Sequence, residues 1–257
     1  ETDIAGIFVL DYLQALEPHC TIHVLNIGIG QDITDDSELR QGIHIQRYHV
    51  PCAKNYGIYK ALAYTRLFLS INRLASCWGS LDLIHAHGST ISGIASFIIA
   101  RKHKIPVIIT EHSNPSKLMK SFIMKSLTRR ALEHADAVLP VSEDLRQKIE
   151  SFGIKLRRVF VTHNPVDTEL FQPTTVKKST TSSMVFAGRL EHFKGGLRTV
   201  NAFDKIDASR KGWNLTLIGD GPEENAIRTF IRDRGLEKNV RLMGRLTGFR
   251  RYERPLG

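Results

Sequence analysis

The sequence predicts an α/β protein whose strands form parallel sheets, divided into two units. Short apolar runs alternate with longer stretches of helical periodicity along the chain, which is the pattern of β-α-β units. Residues 173–183 show neither pattern, and we interpret them as a linker. We therefore expect a first domain over residues 1–172 and a second, incomplete domain over residues 184–257.

The elements of the first half follow from the spacing of its apolar residues. Helices are predicted where these residues recur every three to four positions, and strands where short β-branched runs occur, as in buried parallel strands. Ser142 followed by Glu143 and Asp144 is typical of a helix start. The predicted order is helix 6–16, strand 20–28, strand 43–50, helix 58–77, strand 81–85, helix 90–103, strand 105–113, helix 116–134, strand 136–141, helix 143–152 and strand 158–162.

The second half repeats this architecture over a shorter length. Its predicted order is strand 184–187, helix 197–208, strand 214–218, helix 223–234 and strand 239–243, and residues 247–257 show no strand pattern. A doubly wound domain usually has about 100–150 residues and begins with a strand and a glycine-rich turn. Because the first half opens on a helix and the second is short, we expect the first strand to be missing and both ends to be truncated.

The composition, 42% hydrophobic and 24% charged residues over 257 positions, is that of a globular protein and excludes a disordered chain. A net charge of +10 favours phosphorylated or polyanionic partners, or an acidic membrane surface, without choosing among them. Cys20, Cys52 and Cys77 are scattered and form no CxxC pair, so neither a zinc site nor a disulfide framework is predicted. No apolar run reaches about 18 residues, so we expect no spanning helix.

Ligands of such sheets bind beyond the carboxyl ends of the strands, so the loops that follow strands hold the candidate residues. His85 and His87 close one strand on the same side, and Gly88 permits a sharp turn after them. They fit either the lining of a cleft or hydrogen-bonded structural histidines, whereas a metal pair lacks a suitably spaced third ligand. His112, after Glu111, is either a group that donates to a phosphate or sugar and shuttles protons, or a mere strand cap.

In the second half, the segment "VFAGRLEHFKGG", residues 185–196, carries Arg189 and Lys194 on a turn that leads into a helix near Gly195. Free N–H groups at a helix start favour an anion, and a guanidinium with an ammonium suits a diphosphate. The segment is neither a Walker loop nor a GxGxxG motif, and two solvated charges are the alternative. Asp220, between Gly219 and Gly221, is either a ligand-binding residue or a turn residue.

Basic residues recur in the predicted helix 116–134 between apolar ones. This pattern fits contact with anionic lipid or a solvated face on a core helix, and both interpretations stay open. The charges are dispersed and lack an aromatic platform, which argues against nucleic-acid binding. The basic residues are Lys117, Lys120, Lys125, Arg129 and Arg130.

Taken in order, eight segments of the chain resemble the retaining glycosyltransferases of the family-4 type, which have the GT-B fold. They are "GIFVLDYLQAL", "DLIHAHG", "IPVIITEH", "ADAVLPVSEDLRQKI", "HNPVDTELFQP", "VFAGRLEHFKGG", "LTLIGDGPEE" and "NVRLMGRL". The resemblance implies two facing Rossmann-like domains with parallel sheets. The first would bind the acceptor and the second, here incomplete, the nucleotide-sugar donor.

The resemblance also implies roles for individual residues. Arg189 and Lys194 match the pair that holds the donor diphosphate without a metal, and His112 matches a cleft histidine near the transferred sugar. These three residues form our predicted catalytic set. The predicted donor-binding residues are Arg189, Lys194, Gly219, Asp220, Gly244 and Arg245, and those on the acceptor side or in the cleft are His87, Glu111 and Asn164.

The chain departs from the family pattern in four respects. The acidic EX7E region that holds the sugar is absent, as are the N-terminal strand and its glycine loop. Phe193 stands where an acid or amide is usual, and Gly196 stands where an apolar residue is usual. We therefore expect this chain to be inactive by itself.

We expect the parent activity to be transfer, with retention, of a hexose from a UDP- or GDP-linked donor to a glycan or lipid-linked acceptor in bacterial envelope or exopolysaccharide assembly. No cofactor or metal is expected, and the predicted location is the cytoplasm, with peripheral contact at the inner face of the membrane. Two alternatives stay open. One is a non-catalytic, truncated remnant, and the other is a GT-B sugar-nucleotide epimerase.

Overall fold

The computed structural model describes residues 7–30, 36–40, 43–51, 68–69, 72, 81–114, 122–169, 171–173 and 182–246. The chain divides into two compact units, Glu1–Gln172 and Pro173–Gly257. Most of the predicted helix 58–77 and of the predicted linker 173–183 lies outside the described residues, as does the whole closing stretch 247–257.

The first unit begins with helix α1, Ile7–Leu16, and a short 3-10 turn, Glu17–His19. A three-stranded sheet follows, made of β1, His23–Gly30, β2, Asp36–Arg40, and β3, Ile43–Pro51. β1 and β3 pair in parallel, whereas β2 pairs antiparallel with β3. The sequence patterns do not predict β2, because "DSELR" contains a single apolar residue.

A second sheet of the first unit is parallel and has the order β4-β5-β6. The elements along the chain are β4, Ile84–His87, α2, Ile91–His103, β5, Val107–Glu111, α3, Phe122–His134, β6, Ala137–Pro140, and α4, Glu143–Ser151. The predicted start of α4 is confirmed, because Ser142 Oγ accepts a hydrogen bond from the Leu145 N–H at 3.2 Å.

The core of the first unit lies between this sheet and its helices. Ile109 of β5 is opposite Val138 of β6, and both are buried together with Leu132 of α3 and Ile149 of α4. Burying one such side chain stabilises the fold by about 1.5–3 kcal/mol. The packing therefore fixes the carboxyl ends of neighbouring strands side by side.

The predicted strand over residues 158–162 is wrong as a regular element. It forms one bridge, from Val138 to Val159, and no ladder. The Val138 N–H donates to the Arg158 carbonyl at 2.9 Å, and the Phe160 N–H donates to the Val138 carbonyl at 3.2 Å. The segment therefore runs beside β6 without forming a strand.

The second unit has a parallel sheet in the order β7-β8-β9. Its elements are β7, Ser183–Ala187, α5, Gly196–Lys205, β8, Asn214–Ile218, α6, Glu224–Asp233, and β9, Val240–Leu242. Leu215 and Leu217 of β8 are buried with Val200 and Phe203 of α5 and Ile227 of α6. Among the described residues, no helix of either unit is long and apolar enough to cross a membrane.

Candidate functional site

Three imidazole rings meet at the carboxyl ends of β4 and β5, and we call His85, His87 and His112 the histidine cluster. Strand alternation places His85 and His87 on one side, where their ring centroids are 4.5 Å apart with 29° between the planes. Parallel pairing puts His87 opposite Thr110, so the residue after β5, His112, lies next to it. The His87 and His112 centroids are 5.2 Å apart at 19°.

The rings of the cluster are held by direct hydrogen bonds. His87 Nδ1 lies 2.9 Å from His112 Nε2, and His85 Nε2 lies 2.7 Å from the Thr110 hydroxyl. Asn164, in the segment that follows α4, hydrogen-bonds the side chain of His112. The structure therefore brings together three residues that the sequence analysis selected in separate loops, His87, His112 and Asn164.

Tyr12 of α1 is a member of this site that sequence reasoning missed. Its ring contacts all three imidazoles edge-on, with the shortest centroid distance, 5.6 Å, to His87. Its hydroxyl donates to the carbonyls of Thr162 and His163 at 3.4 and 3.2 Å. In the sequence Tyr12 occupies one of several apolar positions in a predicted apolar helix. Only its contacts in the folded structure set it apart from the other residues of that helix.

Glu111 has a structural task at this site. Its side chain is buried, and its carboxylate accepts hydrogen bonds from the backbone N–H groups of Ser89, His112 and Ser113 at 2.8, 3.1 and 3.2 Å. The carboxylate thus fastens the loop after β4 to the loop after β5. Charge-assisted bonds of this kind are roughly twice as strong as neutral ones.

Burial keeps the histidine cluster neutral. Desolvation, with smaller contributions from the neighbouring His85 and His112, lowers the pKa of His87 from 6.5 to about 3. Desolvation also lowers the pKa of His112 to about 4, although the hydrogen bond with Asn164 opposes this change. The pKa of His85 is lowered by burial as well. At neutral pH all three rings therefore have one N–H and one lone pair each.

In the second unit, the loops after β7, β8 and β9 are joined through their backbones. The Gly188 N–H donates to the Ile218 carbonyl at 2.9 Å, and the Leu190 N–H donates to the Asp220 carbonyl at 2.7 Å. The Gly219 N–H donates to the Gly244 carbonyl at 2.9 Å. Four predicted donor-binding residues, Arg189, Gly219, Asp220 and Gly244, therefore lie on contiguous loops at one edge of the sheet.

Glycine is required at position 219 by geometry. Gly219 has φ +141°, and a Cβ atom there would lie 1.9 Å from the Gly188 carbonyl oxygen. Such a distance is far inside van der Waals contact, so no other residue fits without displacing backbone. The turn interpretation of Asp220 is consistent with its carbonyl bond, while its side chain is exposed.

Arg189 and Lys194 lie on the loop that enters α5. Gly195 precedes the helix with φ +84°, and the first N–H groups of α5 have no acceptor within the helix and no side-chain cap. Arg189 is 64% exposed and forms an ion pair with Glu191 at 2.5 Å. The Lys194 ammonium lies 5.5 Å from the centroid of the Phe193 ring. Both cations are therefore accessible, and each contacts another residue of the same loop: Arg189 contacts Glu191, and Lys194 contacts Phe193.

A polar group beside this loop was not selected from the sequence. Glu223 precedes α6, and its Oε1 lies 3.3 Å from His192 Nδ1, while His192 Nε2 lies 3.3 Å from Arg198. No periodicity connects these three residues, so they could be found only from the structure. In the part of the chain that the structure describes, no three His, Cys, Asp or Glu side chains are grouped to hold a metal ion.

Profiles of two protein families match the chain. The one described as "Glycosyltransferase Family 4" matches residues 5–170, and the one described as "Glycosyl transferases group 1" matches residues 167–251. Among curated relatives, the lipopolysaccharide 1,6-galactosyltransferase of Salmonella typhimurium is 27% identical over 42% of this chain and 30% of its own length. The glycogen synthase of Mycobacterium tuberculosis is 22% identical over 64% of this chain and 42% of its own length.

Solved structures share the fold at low identity. Sucrose-phosphate synthase from Thermosynechococcus elongatus has a TM-score of 0.73 and 15% identity, and covers 95% of this chain and 65% of its own. Anabaena HepE in complex with UDP has a TM-score of 0.67 and 14% identity, covering 96% and 67%. The chain thus spans less than half of these curated relatives and about two thirds of these solved structures.

Proposed function

Because the chain belongs to Glycosyltransferase Family 4, we propose that the parent activity is transfer of a sugar from a UDP- or GDP-linked donor to a glycan or lipid-linked acceptor. The proposal includes retention at the anomeric carbon and transfer of a hexose. A role in envelope or exopolysaccharide assembly is supported by the relative named as a lipopolysaccharide galactosyltransferase.

The observation that carries this proposal is the edge of the β7-β8-β9 sheet in the second unit. Arg189 and Lys194 lie on the loop before α5, next to the backbone of Gly219, Asp220 and Gly244. A guanidinium, an ammonium and the N–H groups of a helix start form a cationic surface that suits a diphosphate. The related HepE structure contains UDP, which supports the same class of ligand.

Each predicted residue has a role in this proposal. Arg189 and Lys194 offset the charge that develops on the departing diphosphate, which removes the need for a metal or other cofactor. Gly244 and Arg245 contact the base, and His112 lies near the transferred sugar. His87, Asn164 and Glu111 belong to the acceptor side, where Glu111 acts through the loops that it fastens.

Calorimetry of the 257-residue chain tests donor binding. We expect UDP-glucose or GDP-glucose to bind saturably, and Arg189→Gln or Lys194→Ala to weaken binding about 10-fold, the value of one charge-assisted bond. Lys205→Ala, which removes the same charge from the last turn of α5, should bind like the wild type. Absence of saturable binding by the wild type would support the non-catalytic remnant instead.

A turnover assay separates the remaining alternative. A glycosyltransferase consumes donor in proportion to added acceptor, with the α or β configuration of the product read by NMR. An epimerase interconverts two nucleotide-sugars with no acceptor present. Inversion at the anomeric carbon would contradict the proposed retention without affecting the assignment of the diphosphate loop.

Cytoplasmic location with peripheral membrane contact is also part of the proposal. Phe122 and Ile123 at the start of α3 are 86% and 67% exposed, and Lys125, Arg129 and Arg130 follow on the same helix. Apolar and basic side chains together favour an anionic bilayer surface. Flotation with phosphatidylglycerol vesicles should recover the protein, and Phe122→Ser/Ile123→Ser should reduce the recovered fraction.

A further inference from the structure

The side chain of Tyr12 contacts two parts of the first unit that lie far from it along the chain. It is only 9% exposed, and its hydroxyl bonds the carbonyls of Thr162 and His163 at 3.4 and 3.2 Å. The hydroxyl must be the donor, because a backbone carbonyl oxygen can only accept a hydrogen bond. A buried phenol normally has such a partner, and here both partners belong to one loop segment. The hydroxyl therefore joins α1 to segment 162–164.

Segment 162–164, which follows α4, is also bonded to the end of β6 and the residue after it. The Thr162 N–H donates to the Pro140 carbonyl at 3.0 Å, and the His163 Nδ1–H donates to the Val141 carbonyl at 3.2 Å. These bonds come from the sheet, whereas the phenol hydroxyl of α1 supplies bonds from a second element. The position of the segment therefore depends on both.

The ring of the same tyrosine packs against the histidine cluster. Its centroid lies 6.5, 5.6 and 6.4 Å from those of His85, His87 and His112, with 86°, 62° and 79° between the planes. Edge-on contacts of this kind are favourable between aromatic rings. Because a phenol is rigid, the contacts that fix its ring beside the imidazoles also fix the place of its hydroxyl. Tyr12 therefore sets the distance between the cluster and segment 162–164.

The hydroxyl of Tyr12 stays protonated at neutral pH. Burial raises its pKa above the ordinary value of 10.0, because the charged phenolate would lose its hydration. The phenol therefore remains a hydrogen-bond donor to both carbonyls across the neutral and mildly alkaline range.

We propose that Tyr12 is a positioning residue, whose hydroxyl holds segment 162–164 beside the histidine cluster and so sets the position of Asn164. This proposal rests on the proposed function, in which Asn164 lies on the acceptor side and His112 lies near the transferred sugar. The alternative is that Tyr12 only fills space, in which case its ring is needed but its hydroxyl is not. Tyr12→Phe separates the two, because it removes the hydroxyl and keeps the ring.

NMR of the 13C,15N-labelled chain tests the two carbonyl bonds without any substrate. We expect Tyr12→Phe to move the carbonyl 13C resonances of Thr162 and His163 upfield, since a carbonyl that loses a hydrogen bond becomes more shielded. The Thr162 amide, which donates to Pro140, should exchange with deuterium about fivefold faster, because the segment loses one buried hydrogen bond. Melting temperatures establish that each variant is folded.

Thr128→Val is the matched control. It also removes a hydroxyl buried in the first unit, but that hydroxyl has no hydrogen-bond partner in the part of the chain that the structure describes. It should leave both carbonyl resonances and the Thr162 exchange rate unchanged. The proposal is overturned by a folded Tyr12→Phe variant with wild-type carbonyl shifts, or by a control that moves the same two carbonyls equally.

Turnover provides a second, separate readout. In hydrolysis of UDP-glucose, Tyr12→Phe should lower kcat about fivefold with little change in KM, because the segment lies in the first unit and the proposed diphosphate loop in the second. A raised KM with unchanged kcat would contradict this role. If the wild-type chain turns over neither UDP-glucose nor GDP-glucose while the NMR results are as expected, the non-catalytic remnant is supported and the positioning by Tyr12 stands.

Discussion

Arg189 has an anionic partner even without ligand, because Glu191 lies 2.5 Å from its guanidinium. The Glu191 side chain is 15% exposed and the Arg189 side chain 64%, so the ion pair is partly exposed to solvent. Exposed ion pairs contribute only about 0–1 kcal/mol, which a diphosphate can overcome. Glu191 nevertheless competes with any anion for the same guanidinium.

Removing this competitor should strengthen diphosphate binding. We expect Glu191→Gln to lower the Kd for UDP about threefold, as measured by calorimetry, which corresponds to an exposed pair of roughly 0.7 kcal/mol. In an Arg189→Gln background the same substitution should have almost no effect, since the competition acts through Arg189. Glu237→Gln is the charge-matched control. If it lowered the Kd for UDP as much as Glu191→Gln does, the tighter binding would come from the change in net charge and not from competition at Arg189.

The histidine cluster should make the first unit sensitive to acid. The pKa values of His87 and His112, about 3 and 4, lie below the ordinary value of 6.5, so the unfolded chain binds more protons between these values. Stability is therefore present above pH 6.5 and is lost as the pH falls toward 4 and 3. Thermal melts between pH 7.5 and 4 should show this loss, and His87→Asn should reduce its slope.

At the residue scale, the sequence predicted the position of a candidate residue correctly where that residue lies at the end of a strand, because strand ends meet at the edge of the sheet. His112, Arg189 and Gly219 follow strands, and the structure places them at such edges. His87 is the last residue of β4 and lies at such an edge as well. Tyr12 could not be found, because its contacts come from residues about 75 to 150 positions away. Side-chain partners across such distances depend on tertiary packing, which no local pattern encodes.

At the scale of elements, the close contact between the loops after β7 and β8 requires a residue without a side chain, Gly219. Gly219→Ala would place Cβ against the Gly188 carbonyl and retain an unfavourable φ of +141°. We expect a loss of roughly 3 kcal/mol in unfolding free energy, and weaker UDP binding. Gly212→Ala, with φ +73° and open space around its Cβ, should cost only about 1 kcal/mol. Equal losses in urea melts of the two variants would contradict the backbone contact.

Secondary structure was predictable where an element has its own apolar pattern. The strands and helices of the second unit match the predicted order, with ends displaced by a few residues. β2 was missed because a polar strand at a sheet edge gains its hydrogen bonds from β3 and not from burial. Residues 158–162 have the apolar pattern of a strand but pair through a single bridge.

At the scale of the whole molecule, each unit has a hydrophobic core of its own. Ile109 is buried in the first core and Leu217 in the second, and neither cluster contains residues of the other. Cores of this kind stabilise their own unit, so the chain should unfold in two calorimetric transitions.

A pair of cavity-forming substitutions assigns these transitions. Ile109→Ala and Leu217→Ala should each cost about 3 kcal/mol, the usual loss for a large buried side chain. Each variant should lower one transition in scanning calorimetry and leave the other within about 1 °C. A single transition that both substitutions lower would show that the two units unfold together.

The three backbone hydrogen bonds to the Glu111 carboxylate should slow the exchange of the donating amide protons with solvent. The amides of Ser89, His112 and Ser113 lie in loops, where amide protons usually exchange with solvent within seconds to minutes through small local openings. Here a single opening must release all three from one buried anion. Their deuterium uptake should therefore be slow and synchronous, and Glu111→Ala should uncouple the three rates.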